Sequence, residues 1–145
     1  MFHILVVDDD KNIRRLIQAL LEAENYTVTT AENGIEALNV FEKEHIDLAV
    51  VDIMMPKMDG YEFTKLLRDQ NNNLPILMVS AKQEADDRHK GFKMGTDDYI
   101  TKPIDEEEML LRIKALLRRA KIASEHQITF DNIVIDYDSM TVKKD

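Results

Sequence analysis

The chain contains no cysteine and no tryptophan, and only four glycines and three prolines occur among its 145 residues. Without cysteine, it has neither a disulfide framework nor a thiolate metal site. No apolar run approaches the roughly 20 residues that a membrane-spanning helix requires. The N-terminus shows no basic segment followed by a long apolar one. We therefore expect a cytoplasmic protein without a signal peptide and without a membrane partner.

Sequence motifs that commonly bind phosphate or nucleic acid are also absent. The four glycines form neither a G-x-x-x-x-G-K-[ST] loop nor a G-x-G-x-x-G turn. The 28 acidic residues outnumber the 19 lysines and arginines, and the net charge of −9 argues against this chain binding nucleic acid by itself. The four scattered histidines show no metal-ligand spacing, and no Ser-His-Asp or Cys-His arrangement is evident.

The most informative feature that is present is a set of four apolar runs, each ending in polar residues. Short apolar runs separated by helical stretches predict parallel strands of one sheet. Because ligands of such sheets bind beyond the carboxyl ends of the strands, we expect one pocket suited to a divalent cation and a phosphoryl group. The runs are residues 4–7 before Asp8, Asp9 and Asp10, residues 48–51 before Asp52, residues 76–79 before Ser80, and residues 99–101 before Lys102 and Pro103.

Strand and helix patterns alternate five times within about 120 residues, which predicts a doubly wound α/β sheet with helices on both faces. The fourth helix, from about Glu84 to Met94, is more polar than the others, and Gly95 is expected to end it. Three helices are expected to begin with a capping box, in which an Asx residue precedes a Glu by three positions. These pairs are Asn33 and Glu36, Asp59 and Glu62, and Asp105 and Glu108.

The pattern changes near Lys121. Residues 121–127 are polar and are predicted to form a linker, and largely alternating apolar residues over 128–145 predict two strands with a turn near Asp138 and Ser139. Two such strands are marginal by themselves in water. We therefore interpret residues 1–120 as one domain and residues 128–145 as the start of a second, truncated one.

The acids after the first and third strands favour metal and phosphoryl chemistry. Adjacent carboxylates repel by roughly 3 kcal/mol per pair at about 5 Å and an effective dielectric near 20, so Asp8 and Asp9 favour a hard cation such as Mg²⁺. Asp10 is expected to be a helix-start acid. Asp52 ends a strongly apolar strand; beside a bound cation its carboxylate can act as a nucleophile toward phosphorus. The alternative for Asp52 is an ordinary turn-forming aspartate.

Lys102 is the expected cationic partner of these acids, because buried lysines are rare unless paired. A cis Lys102–Pro103 bond would aim its ammonium group into the pocket. Ser80 alone carries little information, since serines often end strands.

Together these segments resemble the receiver domain of bacterial two-component response regulators, over residues 2 to about 120. Each motif alone is modest, but four in this order and spacing are specific. The resemblance implies a flavodoxin-like (βα)5 fold with a five-stranded parallel sheet in the order 2-1-3-4-5, followed by the short C-terminal β segment. The segments that carry it are ILVVDDD at 4–10, VDIMMPKMDG at 51–60, VSAK at 79–82 and GTDDYITKP at 95–103.

The resemblance also implies a role for each site residue. Asp52 would accept the phosphoryl group from a sensor histidine kinase, and Lys102 would pair with that group. Mg²⁺ would be held by Asp9 directly, by Asp8 mainly through water, by Asp52 and by the Met54 carbonyl. Ser80 would be the switch hydroxyl and Tyr99 the switch aromatic. The chain would promote only its own phosphorylation and dephosphorylation and would not otherwise be an enzyme.

The segment over 97–103 and the final helix are similar to the OmpR-type subfamily. This implies a winged-helix DNA-binding domain beginning over residues 128–145, so that transcription would be controlled through that missing domain. It also implies a homodimer formed on phosphorylation through the fourth helix, fifth strand and fifth helix. The implied intermolecular pairs are Arg88 with Glu108, Asp98 with Arg112 and Asp97 with Arg119, beside an apolar patch of Phe92 and Leu110.

Two other functions fit parts of the pattern. A Mg²⁺-dependent phosphatase of the haloacid-dehalogenase type would use Asp8 as nucleophile, with Asp10, Ser80 and Lys102 in its motif order. Asp52 would then have no role, and the Thr or Val expected shortly after the second acid is absent. A receiver-like docking module without phosphorylation would require an incomplete site, whereas this one has every expected residue.

Overall fold

A computed structural model describes residues 2–70, 72–81 and 97–132 of the chain, with side-chain surroundings as far as Ile122. The strands are β1 (His3–Val7), β2 (Thr27–Ala31), β3 (Leu48–Asp52), β4 (Ile76–Ser80) and β5 (Asp98–Thr101). The helices are α1 (Lys11–Glu22), α2 (Gly34–Lys43), α3 (Gly60–Asp69) and α4 (Glu106–Asn132). The helix predicted over Glu84 to Met94, with its Gly95 end and with Arg88 and Phe92, lies outside the described residues.

The five strands form one parallel sheet in the order β2-β1-β3-β4-β5, which confirms the predicted α/β fold and strand order. Every residue of β3 and β4 is buried. Continuous apolar runs are typical of parallel strands that have helices on both faces. The edge strand β2 is more exposed and richer in threonine.

Alternate residues of the strands point into two separate cores, one on each face of the sheet. On one face, Leu5, Val51 and Met78 pack with Phe63 and Leu67 of α3. On the other face, α1 and α4 cover the sheet. Their apolar side chains there pack with Ile4, Val50 and Val79 and include Ile17, Leu21, Met109, Ile113 and Leu117. The central strands are therefore fixed from both sides, which also fixes their carboxyl ends.

The predicted helix starts are present. Asn33, Asp59 and Asp105 each accept a hydrogen bond from the backbone N–H three residues later, at 2.9, 2.9 and 3.0 Å. Asp59 and Glu62 complete a reciprocal capping box, whereas the Glu36 carboxylate accepts from the Glu32 N–H instead. Asp10 caps α1 by accepting from two backbone N–H groups of its first turn, as expected of a helix-start acid.

The last helix corrects the prediction for the C-terminal part of the chain. α4 runs without a break from Glu106 to Asn132, so residues 121–127 are helical rather than a linker, and residues 128–132 are helical rather than the start of a strand. The sequence from Lys121 to Gln127 contains no Gly or Pro, and four of its seven residues (one each of Lys, Ala, Glu and Gln) are strong helix formers, so nothing in it ends the helix. Residues 133–145, including the turn predicted near Asp138, lie outside the described residues.

No helix in the described part of the chain combines the length and apolarity needed to cross a bilayer.

Candidate phosphoacceptor and metal site

The polar residues predicted to converge do lie at one edge of the sheet. β1, β3, β4 and β5 are adjacent and parallel, so their carboxyl ends meet there. In the register of β3 and β4, Asp52 lies opposite Val79, one residue before Ser80. Ser80 in turn lies opposite Thr101, one residue before Lys102.

Asp8, Asp9 and Asp52 form one cluster of carboxylates. A ligand oxygen from each lies within 4.8 Å of the other two. Asp8 and Asp52 are only 2% and 4% exposed, whereas Asp9 is open to solvent. Three hard oxygen donors, two of them buried and one reachable from solvent, fit the coordination preferences of Mg²⁺.

Lys102 provides the positive charge of this cluster. Its Nζ lies 3.5 Å from Asp52 Oδ1 and 3.7 Å from Asp8 Oδ2. Its backbone N–H donates to the Ser80 carbonyl at 2.7 Å, which holds the ends of β4 and β5 together. The Lys102–Pro103 bond is cis.

One ammonium group does not balance the acids around it. Burial, together with the charge of Asp8, raises the pKa of Asp52 to about 7 despite the opposing effect of Lys102. Burial also raises the pKa of Asp8, although the Asp10 N–H and Lys102 both lower it. Burial lowers the pKa of Lys102, but Asp52 and Asp8 raise it by more, so the ammonium group stays charged. The site therefore has a deficit of positive charge that a divalent cation would offset.

The loop that carries the acids is held by hydrogen bonds to its backbone groups. The Asp8 N–H donates to the Ala31 carbonyl at 3.1 Å, and the Asp10 N–H donates to Asp8 Oδ1 at 2.8 Å. Arg14 Nη1 donates to the Asp8 carbonyl oxygen at 2.7 Å. Arg14 was not predicted to belong to the site, because no local sequence pattern shows that a helical arginine will reach back to a strand-end carbonyl.

Ser80 and Tyr99 are both buried. Ser80 is 1% exposed, and its Oγ has no hydrogen-bond partner among the described residues. Tyr99 packs in the core cluster that includes α3, and its hydroxyl group donates to the Tyr61 hydroxyl at 3.4 Å. Tyr61, the second residue of α3, was not predicted to belong to the site.

Gly60 brings the start of α3 directly against the strand that carries Asp52. A Cβ atom at Gly60 would lie 2.7 Å from the Asp52 carbonyl oxygen and 3.1 Å from the Ile53 Cα. The Gly60 N–H donates to the Ile53 carbonyl at 2.9 Å. The absence of a side chain is therefore required here by close packing. Met54, which follows Ile53 in the chain, has an exposed side chain. Its backbone carbonyl remains a predicted ligand of Mg²⁺.

Four of the charged residues predicted for a dimer interface, Asp97, Asp98, Glu108 and Arg112, are paired within the chain. Arg112 Nη1 lies 2.9 Å from both carboxylate oxygens of Asp98, and Arg112 Nη2 lies 3.1 Å from Glu108. Asp97 pairs with Arg68 at 3.0 Å and accepts from the Ile76 N–H at 2.8 Å. Leu110 is half-buried against the α1 and α4 core, and Arg119 is exposed.

Comparison with known proteins agrees with this geometry. The family model described as "Response regulator receiver domain" matches residues 4–114. The transcriptional regulatory protein ResD of Bacillus subtilis is 43% identical over 98% of this chain and 62% of its own length. The alkaline phosphatase synthesis transcriptional regulatory protein PhoP of the same organism is 50% identical over 83% of this chain and 50% of its own. Both relatives are OmpR-type regulators, and this chain spans between half and about three fifths of their length.

Solved structures show the same fold. The receiver domain of the Francisella response regulator 1452 matches with a TM-score of 0.78 and 38% identity, over 83% of this chain and 99% of that one. NtrX from Brucella abortus matches with a TM-score of 0.83 and 27% identity, over 88% of this chain and 30% of that one. The haloacid-dehalogenase alternative finds no support in these comparisons. The chain belongs to the response regulator receiver domain family.

Proposed function

We propose that this chain is a phosphorylation switch in which Asp52 accepts a phosphoryl group from a phosphohistidine of a sensor histidine kinase. The observation that carries the proposal is the position of the Asp52 carboxylate. It is buried at the carboxyl edge of the sheet, 3.5 Å from the Lys102 ammonium group and beside the carboxylates of Asp8 and Asp9. A structural turn aspartate would need neither the half-buried Lys102 ammonium group nor the neighbouring acids.

In this reaction an Asp52 carboxylate oxygen attacks phosphorus in line with the leaving group. The new O–P bond forms as the P–N bond to the histidine breaks, and the bonding electrons return to the imidazole. Lys102 Nζ, beside Asp52 Oδ1, stabilises the charge that develops on the phosphoryl oxygens. Bound Mg²⁺ supplies further charge neutralisation; the residues that would hold it are Asp8, Asp9, Asp52 and the Met54 carbonyl.

Ser80 and Tyr99 would report the modification to the surface. The acyl phosphate brings additional negative charge and acceptor oxygens, and the buried Ser80 hydroxyl group has no other described partner. When this hydroxyl group turns toward the phosphoryl oxygens, it vacates space into which Tyr99 can move. The modification thus biases an existing equilibrium between two surface conformations.

The surface that responds would be the predicted dimer face, and its output would be DNA binding by the remainder of a longer protein located in the cytoplasm. This accords with relatives that are transcriptional regulators and are longer than this chain. Beyond its own Mg²⁺-dependent phosphorylation and dephosphorylation, the chain is proposed to catalyse no reaction.

Labelling tests the proposal directly. With Mg²⁺ and a radiolabelled small phosphodonor, the wild-type chain should take up at most one phosphoryl group per chain, and Asp52→Ala should take up none. Asp69→Asn is the matched control, because it removes an exposed carboxylate far along α3. Label on the Asp52→Ala chain, or repeated turnover of a chromogenic phosphate ester, would contradict the assignment.

A further inference from the structure

Arg14, in the first turn of α1, contacts the acid cluster through the backbone of that cluster. Its Nη1 donates to the carbonyl oxygen of Asp8 at 2.7 Å, and its side chain is half-buried. In the part of the chain that the structure describes, this is the one hydrogen bond of the Arg14 side chain, and Arg14 forms no ion pair.

The Asp8 carbonyl belongs to the peptide that leads into Asp9, so Arg14 fixes the orientation of that peptide. The following peptide is held from its other end, because the Asp10 N–H donates to Asp8 Oδ1 at 2.8 Å. Because both peptides are planar, the backbone between them can rotate only about the φ and ψ torsions of Asp9. The Asp9 side chain is exposed and forms no hydrogen bond or ion pair with any described residue. The two backbone contacts therefore set the direction of its Cα–Cβ bond, and with it the region that the Asp9 carboxylate can reach.

We propose that Arg14 is a positioning residue for the divalent cation, and that it holds the Asp8–Asp9 peptide so that the Asp9 carboxylate faces Asp8 and Asp52. This inference rests on the proposed function, in which these three carboxylates bind Mg²⁺. Charge alone predicts the opposite effect of removing Arg14, because a nearby positive charge opposes the binding of a cation. The sign of the change in affinity therefore separates positioning from electrostatics.

The test measures Mg²⁺ affinity by isothermal titration calorimetry on the whole 145-residue chain in about 0.15 M salt, where charges further apart than about 8 Å are screened. Arg14→Gln is compared with Arg15→Gln, which removes the same charge from the next residue of α1. Arg15 is exposed and forms no hydrogen bond or ion pair with the described residues. Arg14→Lys keeps the charge and a shorter donor.

Arg14→Gln should weaken Mg²⁺ binding by about tenfold, as expected for a group that orients a ligand. Arg15→Gln should leave affinity unchanged or strengthen it by less than about twofold, and Arg14→Lys should fall between Arg14→Gln and wild type. If Arg14→Gln binds Mg²⁺ as well as Arg15→Gln does, the positioning role is wrong while the metal site stands. If the wild-type chain binds no Mg²⁺, the proposed metal site is wrong and the role of Arg14 falls with it.

A second measurement needs no metal. Hydrogen exchange of the Asp10 amide, followed by NMR in the metal-free chain, should be faster in Arg14→Gln than in Arg15→Gln, because the peptide before Asp9 is no longer held. Equal exchange rates in the two folded variants would overturn the proposal.

Discussion

The site residues place more negative charge in a buried space than the protein itself neutralises. Asp8 and Asp52 are almost fully buried and share Lys102 as their cation. A protein selected only for stability would gain from replacing one of these acids. Their presence therefore indicates that the charge serves binding and chemistry, and that its cost appears as reduced stability of the metal-free chain.

Asp52→Asn should stabilise the metal-free chain in a pH-dependent way. The carboxyl pKa rises from 3.8 in the unfolded chain to about 7 in the folded one, so the folded state binds this proton more tightly. Ionised Asp52 therefore lowers the free energy of unfolding. This loss is absent below about pH 3.8, grows as the pH rises toward 7, and is constant above pH 7. Urea unfolding should show a gain of about 4 kcal/mol at pH 8, shrinking toward zero near pH 4.

Mg²⁺ provides the control for this prediction, since it should stabilise the wild-type chain at pH 8 but have little effect on Asp52→Asn. Asp69→Asn, which removes only an exposed partner of Lys65, should change the unfolding free energy by less than about 1 kcal/mol. Equal stability of wild type and Asp52→Asn at pH 8 would show that Asp52 is not held at an energetic cost.

At the scale of secondary-structure elements, the first turns of two helices build the site around the strand ends. α1 contributes the Asp10 cap and the Arg14 contact to the Asp8 carbonyl. α3 brings Gly60 against the Asp52 carbonyl and places Tyr61 beside Tyr99. The strands thus supply the reactive side chains, and the helix starts fix the backbone that carries them.

Gly60→Ala should disturb Asp52 specifically. The new Cβ would lie 2.7 Å from the Asp52 carbonyl oxygen, so either the helix or the strand end must move. We expect a loss of about 1–3 kcal/mol of unfolding free energy and slower labelling of Asp52, measured by urea unfolding and phosphodonor uptake.

Gly34→Ala is the matched control for this substitution. It stands at the same first position of α2, and its Cβ would contact the side chain of Met58, with the flexible sulfur as the nearest atom at 2.9 Å. Gly34→Ala should therefore lower the free energy of unfolding by less than Gly60→Ala does, and it should leave the labelling of Asp52 unchanged. A loss of stability and labelling as large in Gly34→Ala as in Gly60→Ala would contradict the packing argument.

At the scale of the whole molecule, the predicted dimer face includes four charged residues that already have partners within the chain, namely Asp97, Asp98, Glu108 and Arg112. Arg112 bridges Asp98 and Glu108 within one chain, and Arg68 holds Asp97. A dimer that uses the predicted pairs must exchange these contacts for contacts with a second copy. Such an exchange changes the number of ion pairs little, so the charges would select the geometry of the dimer more than its strength.

Sedimentation should show whether this exchange occurs. With Mg²⁺ and a beryllofluoride phosphoryl mimic, the wild-type chain should shift from monomer toward dimer, and Arg112→Gln should weaken that dimer by up to about fivefold, because an exposed pair such as the predicted Asp98–Arg112 pair contributes about 0–1 kcal/mol. Arg118→Gln, at an exposed position of the same helix without a partner among the described residues, should not weaken it. Equal dimer affinity in the two variants would remove Arg112 from the interface.

The sequence by itself determined the parallel sheet, the helix caps and the convergence of Asp8, Asp9, Asp52, Ser80 and Lys102. These depend on local patterns: apolar runs that must be buried, Asx residues that satisfy free N–H groups, and polar residues that directly follow a strand. A parallel sheet brings the carboxyl ends of adjacent strands together, and the tertiary structure confirmed that these residues meet there.

Only the tertiary structure decided how these groups are held and paired. Arg14 with the Asp8 carbonyl, Tyr61 with Tyr99, and Arg112 with Asp98 join residues from different elements at distances of 3.4 Å or less. The continuation of α4 to Asn132 likewise replaced the linker and strand predicted there. Whether two side chains approach within hydrogen-bonding distance depends on the packing of whole helices and strands, which no pattern of a few neighbouring residues contains.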